Sequence, residues 1–332
     1  MVVNYIDWRT IIARSKGIPQ KHISPIPMQI HVFGTFLLLL SISAQNCQDK
    51  NAAAPVSSST APKAIPLQLD SAFNAYWYAG AAELTSFAVT QNRYGELREA
   101  EQVNIFVTED FSRQKHVKLD DPVTAGDDRV PILKLNWIRK FHTGIYDYSI
   151  MQSVFKPVSG TPVLKTTTTI QDWCGHVFQQ YDQSREGYKL SSKSYFESEG
   201  DQETFFPACL LEDELWVLVR LNPEAIPTGE VNVIPSALYH RFKHVKESIQ
   251  RADLQVIKEP SGSILKLRYK DIPRSLDIYF DTNFPHTITG WEESFQGAIV
   301  SSGKRKGAWR GAYWNENGNA SEYLRKTLKL NY

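Results

Sequence analysis

Residues 163–181 read VLKTTTTIQDWCGHVFQQY, a long stretch rich in β-branched side chains, which favour strands. Similar stretches recur along the chain, and each is bounded by Gly, Pro, Asn or Asp, the residues typical of turns. They are residues 82–97 (AELTSFAVTQNRYGEL), 101–111 (EQVNIFVTEDF), 130–144 (VPILKLNWIRKFHTG), 187–200 (GYKLSSKSYFESEG), 263–271 (SILKLRYKD), 275–282 (SLDIYFDT) and 285–295 (PHTITGWEESF). Regularly spaced strands without interleaved helices predict an antiparallel, all-β architecture.

A sheet with this many strands hides its edges by curling, by closing or by splitting into two packed layers. We therefore predict a mainly β fold, a large curved or barrel-like antiparallel sheet, with a β-sandwich as the alternative. A closed barrel of about eight or more strands can hold an apolar ligand. On the sheet we expect one packed amphipathic helix, residues 208–222 (ACLLEDELWVLVRLN), between Pro207 and Pro223.

Two later segments complete the secondary-structure prediction. Residues 236–247 (SALYHRFKHVKE) fit both a helical stripe and the alternation of a strand, and we assign them to a strand. The C-terminal residues NASEYLRKTLKL, which begin at Asn319, predict a short terminal helix.

The composition is that of an ordinary globular protein and argues against one class of partner. The chain has 332 residues, of which 42% are hydrophobic, and 8 Trp, 15 Tyr and 16 Phe make it rich in aromatic side chains. Its 37 Lys and Arg residues are balanced by 36 Asp and Glu residues, which leaves a net charge of +1. A dedicated nucleic-acid binder normally has a basic excess, so we expect no nucleic-acid partner.

The N-terminal region has the pattern of an export signal. Residues 32–40 form an apolar run that is too short to span a membrane as a helix, which takes about 20 residues. We therefore expect residues 1–46 to be leader and signal peptide, with Met28 as an alternative start. Residues 47–66 are rich in Ala, Ser and Pro and are expected to form a flexible linker. Residues 67–332 are expected to form a single β-rich domain.

Cys47 offers two possible ways of processing the exported chain. It can be the lipidated first residue of a lipoprotein, although Asn46 before it is larger than the usual Gly, Ala or Ser. Cleavage after Ala44 would instead give a periplasmic or secreted protein. We favour lipidation at Cys47, which makes a membrane the partner and places the protein in the cell envelope as an outer-membrane lipoprotein.

Cys174 and His176 are the candidate catalytic residues, with Asp172 two positions earlier. On a single strand the three side chains would share one face, with neighbouring Cα atoms about 6–7 Å apart. The pair suits a cysteine nucleophile with its base, which requires direct contact, or half of a metal site. We prefer structural packing, or a disulfide between Cys174 and Cys209 in an oxidising compartment. No metal or cofactor is predicted.

Nine short motifs resemble a family of uncharacterised envelope proteins of Gram-negative bacteria. They are YWYAG (76–80), AELTS (82–86), RYGE (93–96), VTEDF (107–111), TGIY (143–146), WCGH (173–176), SYFE (194–197), PTG (227–229) and GWE (290–292). The resemblance covers most of the predicted domain. It implies a lipoprotein and a shared fold, and it supplies no known catalytic residue.

Members of that family often carry the name septum formation inhibitor Maf. Genuine Maf proteins are cytosolic α/β nucleotide pyrophosphatases with a Ser-Pro-Arg-Arg-type motif near the N-terminus. The most similar string in this chain is Ser24-Pro25-Ile26-Pro27, ahead of the export signal, and the rest lacks βαβ alternation. The name therefore transfers no activity.

Two functional hypotheses follow from the sequence. The preferred one is a non-enzymatic, membrane-tethered envelope protein that binds an apolar ligand or a protein partner. The alternative is a cysteine-dependent hydrolase or transferase that uses Cys174 and His176.

Overall fold

The computed structural model describes residues 71–160 and 162–331, and strands dominate this part of the chain. The described strands are β1 (Ala82–Arg93), β2 (Glu96–Ser112), β3 (Arg129–Thr143), β4 (Tyr146–Pro157), β5 (Lys165–Asp172), β6 (Gly175–Gln183), β7 (Gly187–Ser194), β8 (Gln202–Pro207), β9 (Leu210–Leu211), β10 (Gly229–Ile234), β11 (Gln250–Glu259), β12 (Gly262–Tyr269), β13 (Arg274–Phe280), β14 (Ile288–Phe295) and β15 (Ala298–Gly311). The described α-helices are α1 (Ser71–Trp77), α2 (Leu215–Leu221), α3 (Ala237–Lys243) and α4 (Tyr323–Thr327).

All these strands belong to one sheet, in the order β8-β7-β6-β5-β4-β3-β2-β1-β15-β14-β13-β12-β11-β10-β9. The first and last described strands, β1 and β15, pair in the middle of the sheet. On either side the strands follow one another as a meander, as far as β8 at one edge and β10 next to the other. Neighbouring strands are antiparallel except β9 and β10, which are parallel. The predicted mainly β fold with a large antiparallel sheet is confirmed, and the strands form one sheet instead of the two layers of a sandwich.

The connection between the sheet edges shows why this sheet is curved. The edge strands β8 and β9 do not pair, yet residues 208 and 209 alone separate them in the sequence. Consecutive Cα atoms are about 3.8 Å apart, so the end of β8 lies within about 11 Å of the start of β9. A sheet of fifteen strands can bring its two edges this close only if it curls back on itself. The sheet is therefore curved and unclosed.

Side chains alternate between the inner and outer sides of the sheet, as β3 illustrates. Leu133, Leu135 and Trp137 are buried inside the curl, whereas Lys134 and Asn136 between them are partly exposed. The inner space is filled by α2, whose seven residues are all buried. The main described core is therefore formed by the inner face of the sheet and α2, with contributions from α1 and α3, and two smaller hydrophobic clusters lie apart from it.

Trp291 on β14 shows how closely the sheet packs against α2. Its ring centroid lies 5.4 Å from that of Trp216 on α2 and 5.2 Å from that of Phe87 on β1. A Cβ atom on Gly303, in the neighbouring strand β15, would lie 2.2 Å from the Trp291 ring. Glycine is required there because any larger residue would displace the indole.

The helix predicted over residues 208–222 is shorter and more deeply placed than expected. Residues 210–211 form β9, residues 212–214 form a 3₁₀ turn, and α2 begins at Leu215. Even Arg220 is buried, so the helix has no solvent-facing side and is enclosed by the sheet, not amphipathic on its surface.

The strand assignment of residues 236–247 was wrong, because α3 occupies most of this segment. The Ser236 hydroxyl accepts a hydrogen bond from the Leu238 backbone N–H at 3.3 Å, which starts the helix. His244 ends it in the left-handed conformation, with φ 53°. The short terminal helix is confirmed as α4. The expected signal segment, linker and Cys47 lie outside the described residues and stay predictions.

Candidate functional site

Cys174 lies in a hairpin turn and not on a strand. β5 ends at Asp172 and β6 begins at Gly175, so Trp173 and Cys174 form the two-residue connection. The chain therefore reverses its direction between Asp172 and Gly175. The expectation that Asp172, Cys174 and His176 share one strand face is therefore wrong, because that geometry requires a continuous strand.

The contacts around Cys174 are those of a turn. The Asp172 Oδ1 atom accepts a hydrogen bond from the Cys174 backbone N–H at 2.7 Å, which braces the reversal. Both Cys174 and His176 are exposed, and no hydrogen bond or ion pair between described residues joins them. They line one open groove of about 490 Å³ together with Trp173 and Lys140. The role of the pair in catalysis stays a prediction.

The two described cysteines are free thiols in contrasting environments. Cys174 is exposed, whereas Cys209 lies in the link between the sheet edges and is partly buried. Burial, reinforced by the Glu214 carboxylate, raises the pKa of Cys209 to about 12. Within residues 71–160 and 162–331, no three His, Cys, Asp or Glu side chains are grouped to hold a metal ion.

A second depression opens where β1 ends, between the β1–β2 turn and α3, and we refer to it as the mouth pocket. Its volume is about 320 Å³, at the small end of the range of about 300–1,000 Å³ typical of ligand pockets. Its apolar and aromatic wall consists of Tyr94, Leu238, Tyr239, Phe242 and Val300. Its polar lining consists of Gln91, Asn92, Arg93, Lys243, His244 and Glu293, with Gly95 at the turn.

The turn at one side of the mouth pocket is tight. Tyr94 and Gly95 both have positive φ, 57° and 81°, as the central residues of a two-residue hairpin turn require. This conformation is uncommon for tyrosine, and the Tyr94 hydroxyl is held by a 2.8 Å hydrogen bond with the Tyr148 hydroxyl. The turn therefore fixes an aromatic ring at the edge of the pocket.

Arg93 forms the polar centre of the mouth pocket. Its guanidinium donates hydrogen bonds to the Tyr148 hydroxyl at 3.1 Å and to the Phe242 carbonyl at 3.1 Å. The same group lies 4.3 Å from the Tyr94 ring centroid and 4.7 Å from that of Phe242, distances typical of cation–π contacts. Arg93 thus joins the β1–β2 turn to α3, the two sides of the pocket.

The buried acidic run Glu212, Asp213 and Glu214 holds α3 and the sheet in place beneath the pocket. Glu212 accepts hydrogen bonds from the Arg274 guanidinium, and Glu214 accepts one from the Lys156 ammonium at 2.5 Å. Asp213 accepts a 3.4 Å hydrogen bond from the backbone N–H of the first α3 residue. Burial, together with the neighbouring Glu212 charge, raises the pKa of Asp213 to about 6.

The sequence indicated neither the mouth pocket nor the acidic run as a site. Residues 93–96 are one of the motifs that carry the family resemblance, and Gly95 among them indicates only a turn. The acidic run was assigned to the start of an amphipathic helix, where carboxylates are normally exposed. No local signal connects the β1–β2 turn to α3, because the Arg93 and Phe242 that meet there are 149 positions apart.

No helix within the described residues is both long and apolar enough to cross a membrane.

Comparison with known proteins gives little information beyond the fold. No family model matches the chain, and no curated protein matches it. One solved structure with some similarity is a β-barrel-like protein of the domain of unknown function DUF1849 from Brucella abortus. The alignment has a TM-score of 0.41 and 5% sequence identity, and it covers 69% of this chain and 97% of that one. The resemblance to the envelope family therefore stays a prediction.

Proposed function

We propose that this chain is a non-enzymatic binding protein of a bacterial cell envelope, which is tethered through Cys47 and takes up an apolar ligand in the mouth pocket. The observation that carries this proposal is the pocket itself. Apolar and aromatic side chains form one wall of it and polar side chains the rest, and the surrounding strands and α3 are fixed by hydrogen bonds and ion pairs. Preformed concave sites with apolar walls and a few polar groups are typical of ligand binding.

The tether and the pocket are compatible in their positions along the chain. α1 precedes the start of β1, whereas the mouth pocket adjoins its end. The rise of about 3.3 Å per residue in a strand separates the two ends of β1 by about 36 Å. The ligand would therefore enter at the end of the sheet away from the attachment of the linker.

Binding can be tested with the small uncharged aromatic dye 1-naphthylamine, whose emission shifts to shorter wavelength in an apolar site. We expect saturable binding to the full chain and a loss of at least about tenfold in affinity for Val300→Trp, which fills the pocket. The control is Ile299→Trp, because Ile299 is half exposed and does not line the pocket. Equal loss in both variants, or no dye binding, would contradict the proposal.

The tether is tested separately by fractionating cells that produce the full chain. Cys47→Ser should move the protein from the membrane fraction to the soluble fraction, because the lipid attachment site is lost. Ala44→Ser, which leaves Cys47 in place, is the control and should stay with the membrane. Membrane retention of Cys47→Ser would refute the lipoprotein part of the proposal.

A further inference from the structure

Six lysine and arginine side chains are buried in the described part of the protein, and most of them face a carboxylate. Four form ion pairs within 4 Å: Lys156 with Glu214, Arg220 with Glu83, Arg241 with Glu199 and Arg274 with Glu212. The other two are Arg93 and Arg139, and neither forms an ion pair within 4 Å with a described carboxylate, although the charge of Glu293 acts on Arg139 from a greater distance. Buried charges are normally paired, so the burial of Arg93 and Arg139 without an ion-pair partner needs a physical reason.

The two unpaired guanidinium groups lie beneath the same opening. Arg139 donates hydrogen bonds to the side chain of Gln102 at 2.8 Å and to that of Gln91, and Gln91 lines the mouth pocket. Arg93 lines the pocket directly. The carboxylate of Glu293, also in the lining, accepts a 2.8 Å hydrogen bond from Arg274 instead.

Lys243 adds a third positive charge at the rim of the mouth pocket. Its ammonium lies 3.9 Å from the centroid of the Phe295 ring and forms no ion pair with a described residue. His244, which also lines the pocket, contacts the Glu199 carboxylate at 3.0 Å.

Arg93 also donates a 3.4 Å hydrogen bond to the Tyr94 hydroxyl. With the bonds to Tyr148 and Phe242, this leaves two of the roughly five N–H groups of a guanidinium without a described acceptor, and these, with the Lys243 ammonium, can face a ligand.

We propose that the mouth pocket binds an amphipathic molecule with one anionic head group, a carboxylate or a phosphate, which pairs with Arg93 while its apolar tail lies against Tyr94, Leu238 and Phe242. This proposal rests on the proposed binding function and names the class of its ligand. A volume of about 320 Å³ holds about ten non-hydrogen atoms at about 30 Å³ each, the share of a water molecule in the liquid. A head group with a tail of about eight carbons fits that volume.

The experiment compares molecules of equal tail length as competitors of the uncharged dye at pH 7.5. Octanoate and octyl phosphate carry the anion, 1-octanol lacks it, and acetate carries the anion without the tail. We expect either anionic octyl compound to displace the dye at a concentration at least about tenfold lower than octanol, because charged hydrogen bonds add to the same apolar contact. Acetate at the octanoate concentration should not compete.

Single substitutions identify which positive charge causes the preference for anionic ligands. Arg93→Gln should reduce the preference for the anion to less than about threefold while octanol binding stays within about twofold. Lys243→Gln should weaken both anions by about twofold to fivefold, and because Lys243 is exposed this variant remains informative if Arg93→Gln unfolds. The matched control is Lys115→Gln, an exposed lysine beyond the far end of β2.

The outcomes separate this inference from the proposed function. If octanol competes as well as octanoate, or acetate competes equally, the inference is refuted while an apolar pocket still stands. If the anion preference survives in both Arg93→Gln and Lys243→Gln, the site is elsewhere and the inference is also refuted. If the dye does not bind the unmodified chain, the proposed function itself fails.

Discussion

Pro207 and Leu210 lie three positions apart in the sequence and at opposite edges of the same sheet, in the outermost strands β8 and β9. Ala208 and Cys209 form the link between them. This covalent link keeps the two edges of the sheet close together, as hydrogen bonds between the edge strands do in a closed barrel. The edges stay together although they do not pair. The partly buried Cys209 is therefore a probe of whether the link is closed in solution.

The two thiols should differ sharply in their reaction with iodoacetamide at pH 7.5. Cys174 is exposed, whereas the pKa of about 12 leaves less than about 0.01% of Cys209 as the reactive thiolate. Mass spectrometry of the tryptic peptides should find Cys174 alkylated and Cys209 protected until denaturant is added. Equal rates in the native protein would mean that the link opens.

Glu83→Gln should destabilise the protein strongly, because it leaves the charge of Arg220 buried without its partner. Arg220 donates two hydrogen bonds to Glu83, at 2.5 and 2.6 Å, and its side chain is fully buried. Removing one partner of a buried pair costs about 3–5 kcal/mol, which urea unfolding can measure.

The matched control for this prediction is Glu203→Gln. Glu203 pairs with Lys189, and more than half of each side chain is exposed, so we expect no measurable change. The double substitution Glu83→Leu with Arg220→Met should recover part of the loss, because neither charge of this pair then remains buried without its partner. Equal stabilities of Glu83→Gln and the unmodified protein would show that the pair is not formed.

His240→Leu should make the protein less sensitive to acid. His240 is buried, neither ring nitrogen hydrogen-bonds a described residue, and burial lowers its pKa to about 4. Between about pH 6.5 and pH 4 the unfolded state binds the proton and the folded state does not, so stability is lost as the pH falls.

Leucine does not bind a proton, so His240→Leu removes this loss of stability at low pH. The stability of His240→Leu relative to the unmodified protein should rise by about 2–3 kcal/mol between pH 7.5 and pH 4.5. Urea unfolding at both pH values measures the change, with His176→Leu, at an exposed position, as the control. A difference that does not change with pH would contradict the burial of a neutral His240.

Asp213→Asn should act with the opposite pH dependence. Its pKa is raised from 3.8 to about 6, so between these values the folded state holds a proton that the unfolded state has lost. The stability that this proton provides is present at low pH and is lost as the pH rises through about 6. Asparagine mimics the protonated acid, so the variant should gain up to about 3 kcal/mol relative to the unmodified protein between pH 4 and pH 7.5. A constant difference in urea unfolding would contradict the raised pKa.

Cys174→Ser and His176→Ala test the alternative enzymatic function. Both positions are exposed, so neither change should shift the melting temperature. If the protein is not a cysteine-dependent enzyme, each variant should complement a deletion strain. Loss of complementation in either single variant, with the double variant no worse and the melts unshifted, would make this pair the active site.

The sequence by itself predicted most of the longer strands and their antiparallel arrangement, although β4, β10, β11 and β15 lie outside the predicted stretches. Alternation of apolar and polar residues is a local property with a period of two, and the turn residues between the runs are local as well. The same local pattern did not predict α3, because the apolar residues of 236–247 fit both the period of a helix and that of a strand. Burial of its inner side and the Ser236 cap decide in favour of the helix.

The tertiary structure alone decided which charged residues are buried and which are left without a partner. Glu212, Asp213 and Glu214 resemble an exposed helix start in the sequence, and their partners Arg274, Ala237 and Lys156 come from distant segments. The mouth pocket likewise depends on contacts between strands and a helix that are far apart in the chain. The energy of a buried charge depends on what surrounds it in space, and that environment exists only after the sheet has curled.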